Sequence, residues 1–218
     1  MNLKVDPVKK KEDNTRTFHY HDFIIETHPE VYDPAEDTFL LLETLHIDTN
    51  ETVLELGTGC GIIALECARK ASHIVCTDIN PFAVALTHRN IKRNQHLING
   101  SIEIRQGPLF SVLDKKELFN IIIFNPPYLP TKKQEKIGGW FDVATNGGRD
   151  GLKLTKQYIQ GFKKHLLKNG CAYFIFSSLS NRSTLERMLK NEKIIFSIMA
   201  YRIYENEELD VYCITPLD

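Results

Sequence analysis

The chain has 218 residues, enough for one α/β domain with a sizeable core and short for two. Its 27 Lys and Arg are offset by 28 Asp and Glu, a net charge of -1 that leaves no general positive field for a long nucleic acid. Its five cysteines, Cys60, Cys67, Cys76, Cys171 and Cys213, contain no C-x-x-C pair, so neither a zinc site nor a disulfide framework is indicated.

Residues 1 to about 16 are lysine-rich with few apolar positions, which predicts a mobile tail ahead of a single domain over 17–218. This start lacks the apolar core of a signal peptide, and no later stretch reaches the roughly 18 apolar residues of a membrane span. A reducing, cytoplasmic setting is the expectation. "FHYHDFIIETHPEVY" is β-rich and predicts a hairpin covering one end of the domain. His19 and His21 would alternate onto one strand face, yet no third ligand has suitable spacing, so no metal site is expected.

"DPAEDTFLLLETL" predicts a helix from Pro34, with Asp33 as N-cap and Glu36 three residues beyond it. The strand "TVLEL", a glycine loop, the helical "IIALECARKA" and the strand "HIVCTDI" follow, and then Asn80 and Pro81 open "PFAVALTHRNIKRNQ" as cap and first helical residue. The strands "SIEIRQ" and "NIIIF" come next. Leu154, Tyr158, Phe162 and Leu166 then recur every four residues, predicting a helix that stops at Gly170. The strand "CAYFIFSS", the helix "STLERMLKN" and an antiparallel pair, "IIFSIMAYRI" and "LDVYCITP" around "YENEE", complete the chain. Strands alternating with helices imply an α/β, doubly wound, mostly parallel sheet, with ligands bound at the strands' carboxyl ends.

Three loops fall at such ends. "LELGTGCGI" places Gly57, Gly59 and Gly61 where a backbone can approach a ligand, but Ile62 stands where the dinucleotide fingerprint requires its third glycine. Asp78, 21 residues after Gly57, ends the next strand where an acceptor takes a ribose diol. Glu55 adds a carboxylate that would repel a pyrophosphate and tolerate a cation, and S-adenosylmethionine, with its ammonium and sulfonium, suits that charge. The third loop is "NPPYLP", residues 125 to 130, where two prolines stiffen the exit from a buried strand.

Together "LELGTGCGI", "TDINP", "FNPPYLP" and "GGRDG" resemble the class I S-adenosylmethionine-dependent methyltransferases of the HemK type, over residues 30 to 215. "VYDPAEDTFLLLETL" is similar to the short eukaryotic and archaeal branch, which modifies the glutamine of the GGQ loop of translation release factors. The resemblance implies a seven-stranded Rossmann-like sheet with a C-terminal antiparallel pair. It also implies that Thr38, Glu55, Gly57, Gly59, Asp78 and Asn125 contact the cofactor, and that Asn125, Pro126 and Tyr128 hold the acceptor. A small zinc-binding activator subunit is implied as partner. The chain departs from the family at "GPLF", Gly107 to Phe110, which lacks the acidic residue relatives place near the adenine amino group. Asn120, at the start of "NIIIF", replaces an aspartate that relatives commonly carry before the fourth strand.

A carboxamide nitrogen is a poor nucleophile because its lone pair is delocalised into the carbonyl. The Asn125 side-chain oxygen and the Pro126 carbonyl would each accept one N–H of the acceptor and turn that lone pair toward the methyl donor, with Tyr128 stacked on the planar group. "GGWFDVATNGGRDG" would be a flexible cover. Two other readings stand: methylation of an exocyclic amino group of adenine or guanine, favoured by Lys132, Lys133 and Lys136, and a non-catalytic nucleoside-binding module.

Overall fold

The computed structural model describes residues 15–131 and 138–217. The expected tail therefore falls largely outside the described residues, and Arg16 already pairs in the first strand, β1 (Arg16–Tyr20), which forms an antiparallel hairpin with β2 (Phe23–Thr27). His21 lies in the turn at φ 49°, so it shares no strand face with His19.

The main sheet contains β3 (Thr52–Leu56), β4 (His73–Asp78), β5 (Ser101–Gln106), β6 (Phe119–Phe124), β7 (Leu166–Ser177), β8 (Ile194–Tyr204) and β9 (Glu207–Pro216). Their order is β5-β4-β3-β6-β7-β9-β8, parallel from β5 through β7, with β9 inserted antiparallel between β7 and β8. Helices α1 (Glu36–Thr44), α2 (Ile62–Cys67) and α3 (Pro81–Asn94) cover one face, and α5 (Lys153–Gly161) and α6 (Arg182–Asn191) the other. The short α4 (Gly139–Thr145) lies near the strands' carboxyl ends.

Because both faces are covered, the central strands are continuous apolar runs whose alternate residues serve different cores. Ile121 and Ile123 pack with α1, α2 and α3, whereas Ile122 and Phe124 pack with Tyr158, Ile159, Phe162 and Leu185.

Several element boundaries differ from the sequence reading, among them α2, which ends at Cys67 and not at Ala71, and β7, which opens at Leu166 and not at Cys171. The first helix starts at Glu36 with Ala35 as its cap, because Asp37 Oδ1 accepts the Thr38 N–H at 2.6 Å and Thr38 Oγ1 accepts the Ala35 N–H at 3.4 Å; Asp33 and Pro34 precede it. The period-four apolar run is helical only through Gly161, then passes through a 3-10 turn, Phe162–Lys164. Leu166 pairs with Phe119 and opens β7. Gly170 is thus a strand residue and no helix stop: a Cβ there would lie 2.5 Å from the Asn120 carbonyl oxygen. Asn120 itself ties β6 to β3, its Oδ1 accepting the Thr52 N–H at 2.8 Å.

Register sets the site. Leu56 lies opposite Thr77 on β4 and Phe124 on β6, and Asp78 lies opposite Gln106 on β5. Gly57, Asp78, Gly107 and Asn125 therefore leave the sheet beside one another, where β3's neighbours diverge to the two sides, the crevice such sheets offer to ligands.

Candidate active site

A cavity of about 460 Å³ opens at these strand ends. Every nominated residue lines it: Thr38, Glu55, Gly57, Gly59, Asp78, Asn125, Pro126 and Tyr128. The glycine loop enters it by left-handed backbone, Gly57 at φ 68° and Gly59 at φ 57°, which glycine adopts without steric penalty. Thr77 anchors the loop, its carbonyl accepting the Gly57 N–H at 2.7 Å and the Thr58 N–H at 3.0 Å.

Asp78 has a double task. Its Oδ2 accepts the Gly59 N–H and its Oδ1 the Asn80 N–H, both at 2.9 Å, so it braces the glycine loop while facing the cavity. Burial raises its pKa, opposed by these N–H bonds. Glu55 is 2% exposed and accepts the Thr58 hydroxyl at 2.8 Å. Burial pushes its carboxyl up to about 8, against the Thr58 bond and with help from the Asp78 charge. Two carboxylates in a water-poor cleft suit a cationic ligand, since a positive charge relieves both the burial cost and their mutual repulsion.

On the far side, "GPLF" forms an apolar edge. Pro108 and Leu109 line the cavity beside Ile79, and Thr77 donates its hydroxyl to the Leu109 carbonyl at 3.2 Å, holding Leu109 at φ 48°. This edge offers a planar base a slot without a carboxylate.

The "NPPY" segment is held from below by "GGRDG". The Gly147 N–H donates to the Leu129 carbonyl at 3.1 Å, and the Ser180 hydroxyl donates to the Tyr128 carbonyl. Gly151, at φ 73°, leaves no room for a side chain: a Cβ would stand 1.9 Å from Ser180 Oγ and 2.2 Å from the Tyr128 carbonyl oxygen. The segment expected as a flexible cover is helical in α4, whose Trp140 and Val143 face the cavity. The Trp140 N–H donates to Glu30 Oε2 at 3.1 Å, which fastens α4 to the chain ahead of α1. Lys132, Lys133 and Lys136 lie outside the described residues.

Tyr32 and Asp37, which the sequence did not nominate, also line the cavity. Asp37 is 2% exposed, and both the Asn125 Nδ2 and the Tyr128 hydroxyl donate to its Oδ2 at 3.1 Å. The Tyr32 hydroxyl lies 3.3 Å from both carboxylate oxygens. Burial and the Asp37 charge raise the pKa of both phenols, so each stays a hydroxyl donor at neutral pH. Asn125 Oδ1 is buried without a hydrogen-bond partner. Such an atom costs free energy until something donates to it.

The model for the family described as methyltransferase small domain matches residues 23–141, more than half of the chain. The chain belongs to this methyltransferase family. Among its relatives is a Methanocaldococcus jannaschii protein provisionally named a protein N5-glutamine methyltransferase, 41% identical over 167 residues, which are 76% of this chain and 82% of the relative. Methyltransferase HEMK2 of Homo sapiens is 31% identical over 175 residues, 75% of this chain and 79% of the human protein. Among solved structures, the E. cuniculi Mtq2-Trm112 complex, described as responsible for methylation of the eRF1 translation termination factor, superposes with a TM-score of 0.65. It is 19% identical and covers 86% of this chain and 99% of that one, a likeness that shows the fold. This methyltransferase is a class I enzyme that uses S-adenosylmethionine, and the carboxylates, glycine loop and apolar slot fit that cofactor. Among the described residues no helix is long and apolar enough to cross a membrane.

Proposed function

We propose that the chain methylates the side-chain amide nitrogen of the glutamine in the GGQ loop of a translation release factor. The observation that carries the reading is the free, buried Asn125 Oδ1 at the edge of a cavity lined by carboxylates. Support for the acceptor comes from the glutamine methyltransferase relative and from the release-factor activity of the structural neighbour. The net charge of -1 weighs against a nucleic-acid acceptor.

Glu55, Gly57, Gly59, Thr38 and Asp78 would hold the cofactor, with Ile79, Pro108 and Leu109 along its base. Bound there, S-adenosylmethionine supplies an electrophilic methyl group. The work of this chain is orientation. Asn125 Oδ1 accepts one N–H of the glutamine amide and the Pro126 carbonyl the other, so the nitrogen lone pair faces the donor. Holding two reactants in line is worth up to about 7 to 11 kcal/mol of barrier, so a strong base is not needed for attack. The displaced amide proton passes to water. Tyr128, held by Asp37 and by the Ser180 contact to its carbonyl, forms the wall against which the planar amide rests.

A small zinc-binding activator subunit is the proposed partner, supported by the paired assembly of the structural neighbour. The sheet offers two edges, β5 and β8, that pair with nothing among the described residues. Co-expression with such a subunit should give a stable one-to-one complex by gel filtration; full activity of the lone chain would argue against the requirement.

The test is a partition of label. The protein, with and without the activator, is incubated with methyl-labelled S-adenosylmethionine, a release factor and transfer RNA together. Label in the release factor supports the reading. Label in the RNA would replace it with the nucleobase reading, and cofactor binding without any transfer would make the chain a binding module.

A further inference from the structure

The reactive loop has a fixed hydrogen-bond polarity whose origin lies in another element. A carboxamide has two nearly isosteric ends, and rotating it by half a turn exchanges an acceptor for a donor. In this structure Asn125 Nδ2 points at Asp37 Oδ2, 3.1 Å away, with Thr38 Oγ1 at 3.4 Å. The reverse orientation would set the amide oxygen against the carboxylate and give up the charge-assisted bond. Asp37 cannot turn away. Its Oδ1 accepts the Thr38 N–H at 2.6 Å and the Thr38 hydroxyl at 3.1 Å, and Tyr32 and Tyr128 donate to it from the other side. The side chain is nearly fully buried, in the first turn of α1, 88 residues before Asn125 in sequence.

We propose that Asp37 is the positioning residue that sets the acceptor-site polarity: by binding Asn125 Nδ2 it leaves only Asn125 Oδ1 for the incoming group. It also fixes the Tyr128 ring through the same carboxylate oxygen, so the two side chains that frame the acceptor amide share one anchor. The site therefore selects an acceptor that brings N–H groups, as a primary amide does, and disfavours one that presents a carbonyl oxygen or carboxylate to Asn125. The catalytic consequence rests on the glutamine methyltransferase reading above; the orientation of Asn125 does not.

The experiment combines a charge swap with a measurement that needs no turnover. Asn125→Asp places two carboxylates in contact and should lower kcat at least tenfold. Asp37→Asn removes the charge that orders the cluster and should lower kcat by about ten- to a hundredfold, with cofactor affinity changed less than threefold. The double variant, Asp37→Asn with Asn125→Asp, restores an amide donating to a carboxylate while leaving a free carboxylate oxygen facing the cavity. It should be at least tenfold faster than the slower single variant. A role confined to folding gives no such rescue, and a swap no faster than that single variant overturns the proposal.

Independently, the Asn125 side-chain amide is followed by NMR in the cofactor-bound protein, its resonances assigned by their loss in Asn125→Ala. Solvent exchange of these protons should be at least tenfold faster in Asp37→Ala than in wild type. Equal exchange, with thermal melting showing both proteins folded, would overturn the assignment. If the wild-type protein methylates no release factor, the proposed function fails while the exchange measurement still decides the role of Asp37.

Discussion

Replacing Glu55 with Gln perturbs a buried carboxyl in the site, one shifted from 4.5 to about 8 by burial. In the cofactor-free protein the folded state holds this proton across a range where the unfolded chain releases it. The stability it contributes is therefore complete below about pH 4.5, falls as pH rises, and is gone above about 8. The full span corresponds to on the order of 5 kcal/mol, and between pH 5.5 and 7.5 linkage predicts a loss of about 2 to 3 kcal/mol. Glu55→Gln is neutral, keeps the shape, and should lack that part of the slope. Asp78 is displaced in the same direction, but it is present in both proteins and cancels in the comparison. Urea denaturation at the two pH values reads the difference directly. A cationic cofactor favours ionised Glu55, so wild-type affinity should also rise with pH up to about 8, with a proton released to buffer in calorimetry. Parallel pH dependence of wild type and Glu55→Gln, in both stability and affinity, would refute this reasoning.

Three further outcomes are expected. Asn125→Ala should keep cofactor affinity within about threefold while lowering kcat about a hundred- to a thousandfold, comparable to losing an oxyanion-hole donor; unchanged turnover on a release factor would make "NPPY" only a turn. Asp78→Ala should weaken S-adenosylmethionine about ten- to a hundredfold by calorimetry, through loss of a charged acceptor that also braces Gly59. Gly151→Ala forces a methyl against Ser180 and the Tyr128 carbonyl and should cost about 1 to 3 kcal/mol in a thermal melt, with turnover falling more than cofactor affinity.

The parts of this molecule that sequence exposes are those where one residue type has a local reason. The β-α alternation is carried by buried runs such as "NIIIF", and the cofactor loop by glycines that must adopt positive φ. The parallel pairing of β3 with β4 and β6 then brings Gly57, Asp78 and Asn125 together. Asp37 was hidden because an acidic residue in a first helical turn has an ordinary explanation in the helix dipole, and its real partners lie up to 91 residues away. Tyr32 is hidden because its hydroxyl reaches the site through Asp37, whose own place there the sequence does not mark. The end of α5 was misread because a period of four continues through Leu166, although that residue packs on Phe162 and Phe119 as part of a strand. Gly170 and Gly151 mark close backbone approaches, which spacing alone does not distinguish from helix stops or turns.

The most direct measurement of the central claim is tandem mass spectrometry of a release factor after incubation with the protein, any required activator subunit and S-adenosylmethionine. The account predicts one added methyl group on the side-chain nitrogen of the GGQ glutamine, absent when that glutamine is replaced by alanine and absent with Asn125→Ala at matched times. A methyl group on another residue, or equal methylation of the alanine-substituted factor, would contradict it.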